Sequence, residues 1–413
     1  MTICRLAGDP LDLALDLGAL CVSDFMDTRE SAVAAPRVPL RLGLGRTSGV
    51  LQLFDTVPPD TMYRNYWYFS GTNQTMTRQL REIVESIVQW TKLDVDDVVL
   101  DIGCNDGTLF RQYPEAPRVV KVGIDPARNV AEVGRGACDL HATDYFSRET
   151  FLRLTGGARA KVITSIAMFY DLDDPHAFVA DVAACLAPHG VWILQLSYTP
   201  LMLVQNAFDN ICHEHLEYYS VTTIERLLQA HHLRILSVEL NDVNAGSFRI
   251  VVTHAQDDES EVSCLHREIG KLTLDALRAQ ENLSAPLADL AAFEQRVATQ
   301  RSRAQTLLRD LRSQGKSVFG YGASTKGNTL LQHYGIDGSL LTAIAERQAR
   351  KVGKYTVGSG IPIVSEAEMR EARPDYLFVL PWHFFHEFYA REHDFIRGGG
   401  KFIVPLPELR VIG

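Results

Sequence analysis

Two histidines, a glutamate and two tyrosines lie close together in the segment ICHEHLEYYS. His213, Glu214 and His215 are consecutive, and imidazole and carboxyl groups are the usual general bases of enzymes. If the segment is extended, the two histidines share one face, whereas in a helix the three side chains fan out over about 200° at roughly 100° per residue. Such a cluster suits the removal of a proton from a carbon next to a ketone, while a neighbouring acid or tyrosine holds the developing oxyanion.

Two alternatives remain for this cluster. Paired histidines can bind a metal ion, but a third ligand is not evident and the H-E-x-x-H spacing is absent, so we expect no metal here. The segment can also be a polar turn whose side chains only satisfy one another.

A first glycine loop, in VVLDIGCNDG, follows a predicted buried strand. Its glycines allow a ligand to approach the backbone closely. The G-x-G-x-x-G fingerprint of dinucleotide sites is absent, and Asp101 and Asp106 would repel a pyrophosphate but attract the ammonium and sulfonium groups of S-adenosylmethionine. Asp125 ends the next strand about 20 residues farther on, where a carboxylate can hold both ribose hydroxyls. The predicted methyl-donor site comprises Asp101, Gly103, Asn105, Asp106, Gly107 and Asp125.

A second glycine loop, in VFGYGASTKGN, also joins a predicted strand to a helix but contains no acid. Free amides at a helix N-terminus together with a lysine suit a phosphate group. The Walker order G-x-x-x-x-G-K-[ST] is missing, so ATP hydrolysis is not expected, and a structural strand–helix turn is the alternative. We predict a site for the diphosphate of a nucleotide-linked substrate, separate from the donor site and formed by Ser324, Thr325, Lys326 and Asn328.

Aromatic residues are dense in YRNYWYFSGTNQTM. Tyr66 and Tyr68 share one face if this segment is extended, and either could then reach a sugar ring. Such aromatic density is more often core or sugar-stacking surface than catalytic machinery.

The order of predicted elements places these motifs in an α/β protein of 413 residues, which is long enough for two or three domains. Strands alternate with helices through residues 76–255, which predicts a parallel, doubly wound sheet. It ends in two further strands, LRILSVELND and SFRIVVTHA, which we expect to form a hairpin at its edge. Residues 1–75 are rich in turn signals and predict a small irregular domain. Residues 256–312 predict a helical connector, and residues 313–413 predict a second, Rossmann-like α/β domain.

Composition restricts the partners. A net charge of −10 disfavours nucleic acid and anionic membranes, and a run of about 18 apolar residues, which would predict a membrane span, is absent. The first residues carry acids where a signal peptide needs bases, and the seven scattered cysteines show no disulfide framework. We therefore expect a cytoplasmic protein with reduced thiols and a small-molecule substrate; the oligomeric state is not indicated.

The chain resembles the sugar C-methyltransferases of deoxysugar biosynthesis, which methylate a nucleotide-linked 4-keto-6-deoxyhexose. The similarity spans nearly the whole chain and is carried by YWYFSGTNQTM, LDIGCNDGTL, ICHEHLEYYS, NDVNAGSFRI, GYGASTKGN, KVGKYTVGSGIPI, LPWHF and GGKFIVPLPE. The resemblance implies a small N-terminal domain, a central Rossmann-like class I methyltransferase domain and a C-terminal α/β domain, with the substrate between them. It also implies that His215 is the base or lies close to it, near Glu214 and a tyrosine of the YWY segment.

The resemblance breaks down at a structural zinc site of the family. Members usually bind this zinc through two C-x-x-C pairs, and the corresponding positions here are Cys4 and Ala7, then the neighbourhood of Gly45 and Ser48. One cysteine cannot hold zinc tetrahedrally, so we expect no zinc in the N-terminal domain.

Two departures fall near the predicted base. The tyrosine that precedes H-E-H in many relatives is Cys212, and a catalytic-site histidine is replaced within MFYDLDD by Asp171. The candidate catalytic residues are therefore His215, Glu214, His213, Tyr66, Tyr68 and Asp171.

The leading hypothesis is methylation at a carbon next to the ketone of a nucleotide-diphosphate sugar. Methylation of an oxygen or nitrogen in a related sugar or another metabolite is the alternative among enzymes. A non-catalytic binding or scaffold protein is the alternative of another class, and the intact donor motif counts against it.

Overall fold

The structure, a computed structural model, describes residues 2–64, 66–257, 264–283 and 286–413. The strands are β1 (Leu11–Cys21), β2 (Phe25–Met26), β3 (Arg37–Gly45), β4 (Leu51–Leu53), β5 (Val98–Ile102), β6 (Val120–Ile124), β7 (Leu140–Ala142), β8 (Ala160–Ile166), β9 (Leu186–Ser197), β10 (Glu217–Tyr218), β11 (Leu233–Asn241), β12 (Ser247–His254), β13 (Val318–Tyr321), β14 (Ile344–Glu346), β15 (Tyr355–Thr356), β16 (Ile363–Ser365), β17 (Tyr376–Val379), β18 (Lys401–Val404) and β19 (Arg410–Ile412). The helices are α1 (Arg29–Val33), α2 (Pro59–Tyr63), α3 (Gln74–Trp90), α4 (Arg128–Gly134), α5 (Arg148–Thr155), α6 (Pro175–Cys185), α7 (Thr199–Val204), α8 (Val221–Ala230), α9 (Cys264–Leu283), α10 (Pro286–Ser313), α11 (Thr325–Tyr334), α12 (Glu366–Ala372), α13 (Phe385–Arg391) and α14 (His393–Arg397).

The central sheet has the strand order β7-β6-β5-β8-β9-β12-β11. The strands from β7 to β9 are parallel, and β12 runs antiparallel to both β9 and β11. All five residues of β5 are buried, as expected for a parallel strand covered on both faces. The predicted doubly wound sheet with an antiparallel pair at its edge is therefore confirmed, and the carboxyl ends of β5, β6 and β8 meet at one edge.

A second sheet follows the order β16-β14-β13-β17-β18-β19. All its pairs are parallel except β18 with β19. This confirms the predicted second α/β unit. Its core also takes in the apolar face of α10, for example Phe293 and Leu308, so half of the predicted connector packs as part of this unit.

The N-terminal region differs from the predicted irregular domain. Strands β1, β3 and β4 form an antiparallel sheet, which β10 completes by pairing with β4. The short strand β2 pairs with β15, far along the chain. Strand β10 belongs to the central region and β15 to the C-terminal region, so the N-terminal strands connect these two regions. Hydrogen bonds from Ser23 to Thr325 and from Asn328 to Asp24 place this connection beside the second glycine loop. Across the described residues, no helix is long and apolar enough to cross a membrane.

Candidate active site

One cavity of about 460 Å³ collects most of the predicted site residues. Its wall includes Asp101 and Asp125 from the first glycine loop and its neighbour strand, Glu214 and His215 from the histidine segment, and Lys326 from the second glycine loop. The volume lies within the range of small-molecule sites. The two glycine loops, predicted to form separate sites, therefore face the same space.

Asp101 ends β5 almost completely buried. Its Oδ1 accepts a hydrogen bond of 2.6 Å from Thr164 Oγ1 on the neighbouring strand β8. Burial raises the pKa of the Asp101 carboxyl to about 7, although this hydrogen bond opposes the rise. Gly103 follows with a φ of +73°, and a Cβ there would lie 3.1 Å from Met168 Cγ. Glycine thus keeps the loop open beside the carboxylate.

Asp125 ends β6 on the same wall. Its two carboxylate oxygens accept backbone N–H groups of Asn105 and Ala127, both at 2.8 Å. Burial raises the pKa of Asp125. Each carboxylate oxygen has a second lone pair, so Asp125 can still accept hydrogen bonds from a bound diol.

Asp106 differs from its predicted role. One of its oxygens accepts the Gly71 N–H at 2.8 Å, and the other accepts the Thr108 hydroxyl at 2.5 Å. Asp106 is not part of the cavity wall. Gly107, at φ +74°, packs against α4 and the turn after it, since a Cβ would lie 2.6 Å from Ala137 Cβ. These two residues shape the loop and do not face a ligand.

The Asn105 side chain connects the first glycine loop to the aromatic segment. Its Oδ1 accepts the Ser70 N–H, and its Nδ2 donates to the Tyr68 carbonyl, each at 3.0 Å. Asn129 of α4 holds Tyr66 in the same manner, through both the N–H and the carbonyl of that residue. Both tyrosines line the cavity, as predicted from their spacing.

The histidine segment is neither extended nor helical at its centre. A turn closes with the His215 N–H donating to the Cys212 carbonyl at 3.2 Å. Glu214 and His215 consequently line the cavity, while His213 Nε2 lies 3.1 Å from the Val38 carbonyl in the N-terminal sheet. The structure therefore does not bring His213, predicted as a catalytic residue, into the cavity, because the turn directs its ring toward the N-terminal sheet.

His215 has a defined tautomer. Its Nδ1 lies 2.7 Å from the Asn210 carbonyl, which can only accept a hydrogen bond, so Nδ1 carries the proton and Nε2 is left as an acceptor. The Tyr170 ring packs 4.3 Å from the imidazole, centroid to centroid. Burial, assisted by the positive charge of Lys326, lowers the pKa of His215 to about 3. The imidazole is therefore neutral at neutral pH.

Two carboxyl groups accompany this imidazole. Burial raises the pKa of Glu214 to about 7, against the opposing effect of Lys326. Burial and the nearby Glu214 and Glu217 raise the pKa of Asp171 well above its usual value. Glu214 can thus exchange a proton near neutral pH, and the raised pKa of Asp171 favours its protonated form. Asp171 is brought into the cavity as predicted.

The second glycine loop is only partly available to a ligand. Ser324 caps α11, since its Oγ accepts the Gly327 N–H at 3.0 Å. Asn328 is buried, and its Nδ2 donates to the Asp24 carbonyl at 3.1 Å. Ser324, Thr325 and Lys326 line the cavity, but Asn328 does not. The structure therefore does not place Asn328, predicted to bind substrate, on the cavity wall, because its side chain connects α11 to the N-terminal region.

Sequence reasoning gave no role to several side chains of the cavity wall. Tyr63 donates its hydroxyl proton to the Glu214 carbonyl at 2.7 Å and so fixes the turn. Tyr170 packs on His215, and His383 comes from the LPWHF segment. The signals were present, since Tyr63 belongs to the aromatic segment and Tyr170 precedes Asp171, but nothing in either pattern indicated these contacts.

A possible metal-ligand set also emerges from the turn. Ligand atoms of Cys212, Glu214 and His215 all lie within 4.8 Å of one another. Cys212 is the third ligand that the sequence did not reveal. The positive charge of Lys326 already acts on all three groups, and it disfavours a second cation among them.

The predicted remnant of a zinc site is a compact cluster. Cys4 Sγ lies 3.1 Å from Ser48 Oγ, and a Cβ on Gly45 would lie 3.0 Å from the same sulfur. Three of the four expected positions therefore meet. One thiol and one hydroxyl do not make a tetrahedral zinc site, so the residues present do not fit this metal.

Comparisons with known proteins agree with this arrangement. Residues 73–238 match the profile of a methyltransferase domain, and residues 242–407 match that of the C-methyltransferase C-terminal domain. The chain is 31% identical to the C-methyltransferase NovU of Streptomyces niveus over 417 residues, covering 99% of this chain and 96% of NovU.

Solved structures with lower identity include two methyl-transferring enzymes. Magnesium protoporphyrin IX methyltransferase from Synechocystis PCC 6803 is 12% identical, covers 44% of this chain and 88% of its own, and has a TM-score of 0.36. Mycolic acid cyclopropane synthase CmaA1 is 13% identical, with coverages of 48% and 91% and a TM-score of 0.35. Because both TM-scores are low, the assignment of a class I methyltransferase fold rests on the strand order and the family profiles.

The donor-site residues also fit S-adenosylmethionine. Asp101 offers a buried carboxylate to its positive charge, Asp125 offers free lone pairs to its ribose, and Gly103 leaves the backbone between them accessible. Since the match to NovU spans nearly both chains, this protein belongs to the S-adenosylmethionine-dependent C-methyltransferases, the enzyme family that includes NovU.

Proposed function

We propose that the enzyme enolises a nucleotide-diphosphate 4-keto-6-deoxyhexose and methylates the carbon next to its ketone. The observation that carries this proposal is the pairing of His215 and Glu214 on the wall of the donor cavity. A carbon acceptor must lose a proton to a nearby base before it can attack the sulfonium. A hydroxyl acceptor also needs a base but no enolisation, so exchange of the acceptor C–H with solvent distinguishes the two.

The His215–Glu214 pair serves as that base. His215 presents an unprotonated Nε2, and Glu214 titrates near pH 7. Because the pKa of Glu214 is about 7 and that of His215 about 3, the proton finally resides on Glu214. The phenols of Tyr66 and Tyr170 remain uncharged and can donate hydrogen bonds to the acceptor, and the raised pKa of Asp171 favours the protonated form that can do the same. S-adenosylmethionine, when bound, supplies the methyl group from its sulfonium.

The sugar and nucleotide parts of the proposal have weaker but consistent support. Tyr66 and Tyr68 give the cavity an aromatic wall suited to a sugar ring. Thr325 begins α11 at the cavity, and the first amides of a helix attract phosphate oxygens. The segments shared with the sugar C-methyltransferases add to this support, including the YWY and GYGASTKGN motifs.

Mass spectrometry of the protein incubated with S-adenosylmethionine and a panel of nucleotide 4-keto-6-deoxysugars tests the proposal. We expect a product heavier by one methylene and exchange of the acceptor C–H in D₂O. His215→Ala should lower the rate by roughly 10²–10⁴-fold. His213→Ala is the matched control, since its ring faces the N-terminal sheet. A methylated product that forms without any carbon-bound deuterium exchange would instead indicate an oxygen or nitrogen acceptor.

A further inference from the structure

Lys326 holds a buried ammonium group beside the proposed base. Its Nζ is shielded from solvent and has no hydrogen-bond partner among the described residues, although Lys326 lines the cavity. A buried ammonium without hydrogen bonds is unfavourable and is found where a ligand completes its partners. The three N–H groups of Lys326 are therefore available to a molecule in the cavity.

The surroundings of Lys326 are acidic. Asp209, Cys212 and Glu214 lie near enough to favour its charged form, although burial is the larger effect and lowers the pKa of Lys326. Asp209 itself accepts a hydrogen bond of 3.0 Å from Trp382 Nε1, which holds its carboxylate in place. The lysine is thus surrounded by carboxyl groups that balance its charge without using its hydrogen bonds.

This environment opposes a diphosphate at the Lys326 ammonium itself and favours a ketone oxygen there, whereas the first amides of α11 remain available to phosphate oxygens. A diphosphate would bring two negative charges against Asp209 and Glu214. A ketone oxygen is neutral when it binds and gains one charge only during enolisation, so its attraction to Lys326 grows as the reaction proceeds. The position of Lys326 in the first turn of α11 adds the positive end of the helix dipole.

We propose that Lys326 is a catalytic residue that binds the ketone oxygen of the acceptor and stabilises its enolate; this inference rests on the proposed function. The His215–Glu214 pair takes the proton from the carbon next to the ketone. The electron pair of the broken C–H bond forms the C=C bond, and the π pair of the C=O bond moves to the oxygen beside the Lys326 ammonium. Lys326 keeps its proton.

The experiment compares Lys326→Met and Lys326→Gln with Lys316→Met. Lys316 lies before β13 in the same domain and forms only a surface ion pair with Asp375, so its loss controls for removing a lysine charge. Calorimetry with S-adenosylmethionine checks that each variant folds and binds the donor. Methyl transfer from S-adenosylmethionine then measures kcat and KM. Deuterium exchange into the acceptor, with S-adenosylhomocysteine bound in place of the donor, measures enolisation alone. We expect both Lys326 variants to lose about 10²–10³-fold in kcat and in exchange, with KM nearly unchanged.

Four outcomes would overturn this assignment. A raised KM with normal kcat would return Lys326 to phosphate binding. If wild-type activity depends on a stoichiometric metal ion, and Cys212→Ser loses that metal, then a metal ion and not Lys326 stabilises the enolate. Equal deuterium exchange in wild type and Lys326→Met would refute the role of Lys326 but leave the proposed function intact. A wild type that binds the donor but catalyses no exchange in any of the keto sugars would refute the proposed function as well.

Discussion

The affinity for S-adenosylmethionine should become weaker as the pH is lowered below 7, because the Asp101 carboxylate then takes up a proton. The pKa of its buried carboxyl is about 7, so half of the empty protein carries the charge at pH 7. At pH 5.5 that fraction is about 3%, which corresponds to a roughly 16-fold weaker donor affinity, or about 1.6 kcal/mol. The amine and carboxyl groups of the donor, with reference pKa values of about 8 and 3.5, hardly titrate over this interval.

The same carboxyl should affect stability in the opposite direction. Its folded pKa of about 7 exceeds the unfolded value, so the folded protein binds the proton more tightly. The stability cost therefore begins above the unfolded pKa of about 3.9 and grows until the pH passes about 7. Asp101→Asn removes this cost. Its stabilising effect on the donor-free enzyme should be larger at pH 8 than at pH 5.5 by about 2 kcal/mol.

Calorimetric titration of wild type and Asp101→Asn at pH 5.5, 6.2 and 7 checks the first expectation, and denaturant unfolding at pH 5.5 and 8 checks the second. Asp101→Asn should bind the donor weakly and with a flatter pH dependence. The remaining slope would report Asp125, whose pKa is also raised by burial. An unchanged slope in Asp101→Asn, or a wild-type affinity that is flat from pH 5.5 to 7, would refute the assignment of Asp101 to the donor charge.

Two further predictions concern the elements around the site. Elemental analysis should find no stoichiometric zinc, and Cys4→Ala should lower the free energy of unfolding by about 1 kcal/mol, since it removes the Sγ contact with Ser48 and a small part of the buried core but no metal ligand; bound zinc, or melting at a lower temperature with a chelator, would contradict this. Gly107→Ala should cost about 2 kcal/mol in denaturant unfolding, because it strains a positive φ and presses on Ala137. Gly136→Ala, where a Cβ meets open space, is its control, and equal stability of the two variants would refute the packing argument.

Local sequence patterns pointed to residues that the structure brings together on one side of the cavity, namely Asp101, Gly103, Asn105 and Asp125. The buried strand β5, its glycine loop and the carboxylate ending β6 are neighbours in a parallel sheet, so their side chains had to meet at its carboxyl edge. The pairing of β10 with β4 was beyond such reasoning, because strands of two or three residues carry no periodic signal. That His213 lies outside the cavity has a related cause. In an extended strand or in a helix, both histidines could have lined one cleft, but the local turn directs their rings to different places.

The sequence could not show that the second glycine loop faces the same cavity as the first, and the reason is physical. The composition of GYGASTKGN describes a helix N-terminus with a lysine, and this description is correct. The motif carries no information about the carboxyl groups that the fold places near its lysine. Asp209 and Glu214 come from the distant histidine region and balance the positive charge of Lys326. Lys326 is therefore not an uncompensated cation that would attract a diphosphate.

That balance suits a reaction in which charge disappears. A cationic methyl donor and an enolate combine to give two neutral products, and a poorly hydrated cavity favours such neutralisation only if it does not trap either ion too firmly. Asp101 and Glu214, with pKa values of about 7, gain or lose a proton at small cost near neutral pH. A cavity of strongly ionised groups would bind the two ions better and join them more slowly, because stabilising the reactants equally with the transition state leaves the chemical step no faster. The burial that weakens these charges is therefore part of the catalytic design of the proposed reaction.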